Sequence, residues 1–502
     1  RSGEWPIRAR TLMIQGTSSS VGKSVLTAAL CRIFARRGLR VAPFKAQNMA
    51  LNSFVTPRGE EMGRAQAVQA SAAGREPEVE MNPVLLKPEG HSRSQVILMG
   101  RPWKTLSAGD YYACREILWA SVAASFEKLA GENDLLLVEG AGSPAEINLK
   151  KSEIVNMRVA RTFGCPVLLA GDIDRGGVFA SLTGTLALLD DEEKALVKGF
   201  LINKFRGDVK LLEPGLEMLS GLTGGRPVLG VIPWLKNLAV AQEDSVYLEE
   251  NRSSGATGGV DIAVIKFPRI SNYDDFDPLA LEEGVSLRFV DRPEDLGKPH
   301  AVILPGSKTT LEDLAWLRRS GFDGLLAALV LSGSSLAGIC GGYQMLGRRI
   351  SDPLGVEGAS GGGNGLGFLP GETLFESSKE TTRVTGATVP GEGFPGSRPL
   401  AVEGYEIHMG RTVLPRGARP LLSLGGGRTD GAVSAGGRIW GTYLHGIFDN
   451  GEFREEWLRS LGRAEPGKAL PLREIREQAF ERLADEVEAV LDMKALERII
   501  GL

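Results

Sequence analysis

Cysteine and histidine are scarce in this chain, with four of each among 502 residues. Cys31, Cys114, Cys165 and Cys340 are scattered, with no paired metal spacing and no dense disulfide framework. That pattern suits a reduced, cytoplasmic setting. No apolar run approaches the roughly 20 residues a membrane span needs, and Arg1–Arg10 holds no long apolar stretch of the secretory kind. A charge excess is also missing: the net charge is −4, with both signs mixed throughout. A nucleic-acid footprint, which needs a basic face, is therefore not expected. Glycine, by contrast, is abundant at 65 residues, and it gathers at the points where chemistry is expected.

Strand-length apolar runs alternate with amphipathic helical stretches. Thr11–Gln15, Leu39–Phe44, Asp134–Val138, Pro166–Ala170, Gly199–Asn203 and Pro227–Ile232 read as strands, with helices such as Ser24–Arg37 and Glu153–Phe163 between them. Alternation of this kind predicts a doubly wound α/β domain over residues 1–250, built on a parallel sheet. Residues 251–259, polar and rich in Gly and Ser, read as a linker. A second α/β series over 260–455 contains Asp261–Phe267, Ala301–Pro305, Ser335–Ile339 and Arg438–Leu444. Within it Gly355–Gly367 reads as a mobile loop. Residues 456–502 form a tail whose Ile475, Phe480, Leu483, Val487 and Leu491 lie near helical spacing, as in a packing helix.

Gly16–Ser24 reads GTSSSVGKS between the first strand and the first helix. In that context, backbone N–H groups and a helix N-terminus face an anion. Gly16, Thr17, Ser20, Val21 and Gly22 would wrap ATP phosphates, Lys23 would reach the β/γ-phosphates, and Ser24 would offer its hydroxyl to Mg²⁺. Glu139, ending the strand Asp134–Val138, is placed as a second metal ligand, with Asp172 and Asp174 as rivals. Asn203 and Lys204, at another strand end, resemble a base-reading element. The form G-T-x-x-x-V-G-K-S resembles the dethiobiotin synthetase branch of P-loop enzymes, which phosphorylate carboxylates.

The second series carries Gly338-Ile339-Cys340-Gly341-Gly342-Tyr343-Gln344, a cysteine on a tight strand-to-helix turn. Such a turn exposes the nucleophile, and the N–H of Gly341 can help form an oxyanion hole. Gly306 and Ser307 follow another strand and are further candidates, as is Gln344 for binding glutamine. His445 stands at a later strand end, and a Cys–His pair suits attack on a side-chain amide. Cys31, Cys114 and Cys165 lack such a turn and read as inert. His91 and His300 read as solvated or structural, and His408 is left open.

G-x-C-G-G-x-Q with a later histidine resembles the class I glutamine amidotransferase domain. The usual relative has Glu two residues beyond the histidine, where this chain has Ile447. That departure resembles the subgroup containing cobyric acid synthase, cobyrinate a,c-diamide synthase and the peptidoglycan-precursor amidase. It predicts a Cys340/His445 pair that is loosely preorganised unless a residue such as Glu406 replaces the acid, and slow glutamine hydrolysis without the other substrates. FKAQNMALNS (44–53), NPVLLKP (82–88), EGAGSPAEINL (139–149), DIDRGGVFAS (172–181) and YEIHMG (405–410) narrow the resemblance to the cobyric acid synthase family. The resemblance implies ATP- and Mg²⁺-dependent amidation of a corrinoid, adenosylcobyrinic acid a,c-diamide, at its b, d, e and g carboxylates, with glutamine as nitrogen donor. Lys45, Gln47, Asn48 and Asn52 are expected to hold the carboxylate. The competing readings are another carboxylate amidase, and a P-loop switch ATPase with an inactive amidotransferase appendage.

Overall fold

The structure, a computed structural model, describes residues 9–88, 93–150, 153–235, 259–357, 361–463, 467 and 470–502. His91 and nearly all of the expected 251–259 linker lie outside them. The chain divides into two compact units: Arg1–Ala50, Glu60–Asp244 and Arg476–Leu502 in one, Leu51–Gly59 and Ser245–Ile475 in the other.

In the first unit, β1 (Arg10–Gly16), β2 (Val41–Phe44), β3 (Leu135–Glu139), β4 (Val167–Asp172), β5 (Val197–Phe205) and β6 (Val228–Pro233) form one parallel sheet in the order β6-β5-β4-β1-β3-β2. β3 is buried along its whole length, which is why it reads as a continuous apolar run and not as an alternation. The chain turns from one side of β1 to the other, so β1 ends at the crevice where open α/β sheets bind ligands. Helix α1 (Lys23–Arg36) comes directly after it. The C-terminal helices Leu472–Glu488 and Met493–Ile500 bury Phe480, Leu483, Val487, Leu496 and Ile500 in this unit's core, beside Leu30, Ile33 and Phe34 of α1.

The second unit holds a mixed sheet of β7 (Val260–Ile265), β8 (Val285–Val290), β9 (Ala301–Leu304), β10 (Ser335–Ile339), β13 (Ala432–Val433) and β14 (Ile439–Thr442), in the order β8-β7-β9-β10-β14-β13. Only β13 runs antiparallel. A second sheet contains the long antiparallel pair β11 (Glu372–Thr388) and β12 (Ala401–Val413). The Gly-rich segment expected as a loop is in part a strand: Gly361–Asn364 pairs antiparallel with Arg349–Asp352, through backbone hydrogen bonds that need no side chain. Residues 358–360 lie outside the described residues.

Candidate functional sites

β1 delivers the phosphate loop. Gly22 caps α1 with φ +93°, and a Cβ there would overlap the side-chain amide of Asn203, so glycine is required both by conformation and by close approach. Asn203 Nδ2 donates to the Val21 carbonyl at 2.8 Å, and Lys204 Nζ donates to the Ser20 carbonyl at 2.8 Å. Both residues expected to read the base thus also hold carbonyls of the loop. Lys23 Nζ lies over the loop carbonyls of Ser18 (2.8 Å) and Ser19 (3.0 Å), and also reaches that of Gly142 (3.2 Å). The Thr17 N–H is held by the Ala170 carbonyl at 2.9 Å.

Glu139 is the centre of the charged cluster beside the loop. Its Oε1 accepts from Ser24 Oγ and from Lys45 Nζ, both at 2.9 Å, and its Oε2 accepts from Gln69 Nε2 at 2.5 Å. Burial pushes this carboxyl up. The charge and hydrogen bond of Lys45, the Gln69 bond and the Lys23 charge outweigh burial and hold it below the ordinary carboxylate range. Asp172 and Asp174, the rival acids, are paired with Lys204 (2.9 Å) and Arg206 (2.8 Å). Of the residues expected to hold substrate, Lys45 joins Glu139. Asn48 donates to Gln66 at 3.1 Å, and Gln47 accepts from the Tyr111 hydroxyl. Asn52 belongs to the second unit, where its Oδ1 accepts from the Tyr273 N–H at 3.2 Å.

This cradle fits a nucleotide and its Mg²⁺. A loop of backbone groups closed by a lysine suits phosphate, and the Ser24 hydroxyl and Glu139 carboxylate are hard oxygen donors already side by side. Among the described residues there is no cluster of three or more His, Cys, Asp or Glu that could hold a metal ion. A cavity of about 400 Å³ lies at the ends of β5 and β6, walled by Phe205, Arg206, Pro233 and Trp234. The Arg206 guanidinium stacks 3.7 Å from the Trp234 ring centroid. Nothing in the sequence singled out Trp234.

In the second unit the sheet register brings the expected cysteine and histidine together. Leu304 of β9 pairs with Gly338 of β10, and Ile339 pairs with Thr442 of β14. Gly306–Ser307, Cys340 and His445 therefore leave three neighbouring strand ends. Cys340 has φ +50°, a conformation no unstrained side chain prefers. Its N–H donates to the Thr442 carbonyl at 2.8 Å, and its sulfur lies 3.5 Å from the Ile407 carbonyl. A Cβ on Gly341 would reach 3.0 Å from the Ser307 nitrogen, so those two backbone groups stand together beside the cysteine. The Ser307 hydroxyl is spent on Asp313 (2.6 Å), and the Gln344 side chain is engaged at both ends, by Thr310 (3.1 Å) and Tyr443 (3.2 Å).

The expectation of a loosely held histidine is corrected by Asp275. His445 Nδ1 and Asp275 Oδ2 are 2.7 Å apart, and Asp275 Oδ1 accepts from the Gly446 N–H at 2.9 Å. Both side chains are buried. Glu406, the acid expected for that place, instead accepts from Arg428 at 2.8 Å. It lies on β12, while Asp275 arrives on the short helix Tyr273–Phe276, beyond β7. Burial pulls the His445 pKa down, but the charge and hydrogen bond of Asp275, with Cys340 adding to them, raise it to about 10. Nδ1 being committed to Asp275, Nε2 is the nitrogen left for the thiol. The sequence shows Asp275 only as one acid in the run YDDFD, and nothing there separates it from its neighbours.

The remaining cysteines and histidines are held by burial or by other partners. Burial pushes the Cys31 thiol far up and that of Cys165 up to about 12. His300 Nδ1 accepts from the Asp261 N–H at 3.0 Å. His408 is stacked on Tyr443 at 3.9 Å, and burial holds it down at about 4.

Both units match known families. Residues 12–246 match the CobQ/CobB/MinD/ParA nucleotide binding domain, and residues 261–453 match the CobB/CobQ-like glutamine amidotransferase domain. A cobyric acid synthase of Sorangium cellulosum is 54% identical over 98% of this chain and 99% of its own length. Those of Desulforudis audaxviator and Moorella thermoacetica are 51% and 52% identical, over 98% of this chain and 100% and 98% of theirs. With a P-loop unit and a Cys–His–Asp unit on one chain, matched from end to end, this protein belongs to the cobyric acid synthase family of glutamine-dependent amide ligases.

Proposed function

We propose that the chain converts the b, d, e and g carboxylates of adenosylcobyrinic acid a,c-diamide to amides, with glutamine as nitrogen donor and ATP as activator. The observation that supports the reading is His445 held between buried Asp275 and Cys340, on a chain that also carries the Gly16–Ser24 loop ahead of α1. Cys340 attacks the glutamine amide, His445 passes its proton to the leaving ammonia, and a glutamyl thioester remains for water to clear. The N–H of Gly341, with the backbone at Gly306–Ser307, is assigned to the oxyanion.

A carboxylate oxygen is a poor leaving group, so the corrinoid acid is activated by phosphoryl transfer and ammonia then displaces phosphate. Lys23 is assigned to the β/γ-phosphates and Lys45, Gln47 and Asn48 to the acceptor. Mg²⁺, held by Ser24 and Glu139, would neutralise phosphate charge. The Trp234 cavity is suited to the base. To test the reading, the protein is incubated with ATP, Mg²⁺, glutamine and the a,c-diamide, and products are followed by mass. Four successive amidations are expected. A ladder that starts instead from cobyrinic acid and stops after two would assign the a and c positions.

A further inference from the structure

The segment Leu51–Gly59 leaves one unit and is packed in the other. Connecting segments usually run over the surface, because buried backbone groups need partners. Here Asn52, Ser53, Val55 and Thr56 are all at most 3% exposed, and their partners are specific. Asn52 Oδ1 accepts from the Tyr273 N–H, and the Ser53 N–H donates to Asn272 Oδ1, both at 3.2 Å. The Ser53 carbonyl accepts from the Tyr405 hydroxyl at 3.2 Å, and that of Val55 from Arg383 Nε at 3.0 Å.

Those partners, Arg383 aside, are the two walls around His445 and Asp275. Asn272 and Tyr273 begin the short helix that carries Asp275. Tyr405 stacks its ring on His445, with centroids 5.4 Å apart and planes at 19°. It also exchanges backbone hydrogen bonds with His445, at 2.9 and 3.2 Å. Ser53 reaches both walls, through its N–H and its carbonyl. In the chain, Asn52 lies four residues beyond Asn48, the last residue assigned above to the corrinoid carboxylate.

We propose that Asn52–Val55 is a positioning strap for His445 and Asp275, and that a corrinoid carboxylate held at Lys45–Asn48 promotes glutamine hydrolysis through it. This rests on the proposed function, and it assigns Asn52 to positioning. Tyr405→Phe removes the bond to Ser53 while keeping the ring over His445. Glutamate release is measured with and without the a,c-diamide and a non-hydrolysable ATP analogue. The parent is expected to respond by about five-fold or more. In Tyr405→Phe the response falls towards unity through kcat, and ammonium-dependent amidation is retained. Asn52→Ala, which removes the acceptor for Tyr273, should behave alike, and Asn52→Asp, which restores an acceptor oxygen, should recover part of the response.

An unchanged response in both variants, or a parent with none, overturns the strap while leaving the amidotransferase reading intact. A raised KM for corrinoid in the ammonium-dependent reaction of Asn52→Ala makes the segment a binding surface, and also overturns it. A parent that releases no glutamate under either condition overturns both readings.

Discussion

Asp275 makes His445 a different group from the one the bare Cys–His pair describes. A histidine held at about 10 is an imidazolium at neutral pH, able to stabilise a thiolate and to return a proton to ammonia. Asp275→Asn should lower glutamine-dependent kcat/KM by about 10²–10⁴-fold, while ammonium-dependent amidation is retained. Steady-state assays with the two nitrogen sources check this. The same substitution has a signature in stability. A histidine whose folded pKa lies above its ordinary value stabilises fully below about pH 6.5, and that gain disappears as pH rises through about 10. The variant should therefore be less stable by about 3 kcal/mol near pH 6, as for other broken buried pairs, and the deficit should close above pH 10. Denaturant midpoints across that range would show it.

At the scale of elements, both sites depend on the turn at the end of a strand. The phosphate loop turns into α1 at Gly22, where positive φ and the Asn203 amide exclude any side chain. Gly22→Ala should abolish ATP binding, and calorimetric titration with ATP would detect any remaining affinity. Lys23→Ala should stop synthesis from either nitrogen source, since charge on a transferring phosphate supplies several kcal/mol of catalysis. Labelling of Cys340 by a thiol-directed glutamine analogue should persist in that variant. On the other sheet, the step from β10 to β14 brings together two residues far apart in sequence, Cys340 and His445.

For the whole molecule, the division of labour predicts that Cys340→Ala loses glutamine-dependent amidation and keeps the ammonium-dependent reaction. The end of the chain supports the nucleotide-binding unit. Phe480, Leu483 and Val487 are at most 1% exposed, and each buried side chain of this kind contributes about 1.5–3 kcal/mol. Together with Leu496 and Ile500 they approach a domain's whole stability of roughly 5–15 kcal/mol. Truncation after Ile475 should therefore unfold the first unit, and limited proteolysis should then cut it while the second unit resists. A fully protected first unit in that variant would show that the helices only decorate it.

Much of this protein was legible along the chain. Strand-length apolar runs placed the sheets because parallel strands are buried on both faces, and Gly16–Ser24 and Gly338–Gln344 were readable because a backbone that must bend sharply or touch a ligand demands glycine at fixed local spacing. These are properties of consecutive residues. The roles of Asp275, Tyr405 and Trp234 were not legible, since an acid or an aromatic ring carries no local mark of its partner. Ile447 in place of the usual Glu showed only that an acid was missing, and Glu406, nearest by sequence pattern, was instead taken by Arg428. Tertiary structure decided which carboxylate met His445, because burial and a 2.7 Å approach depend on where distant segments end, and no spacing along the chain encodes that.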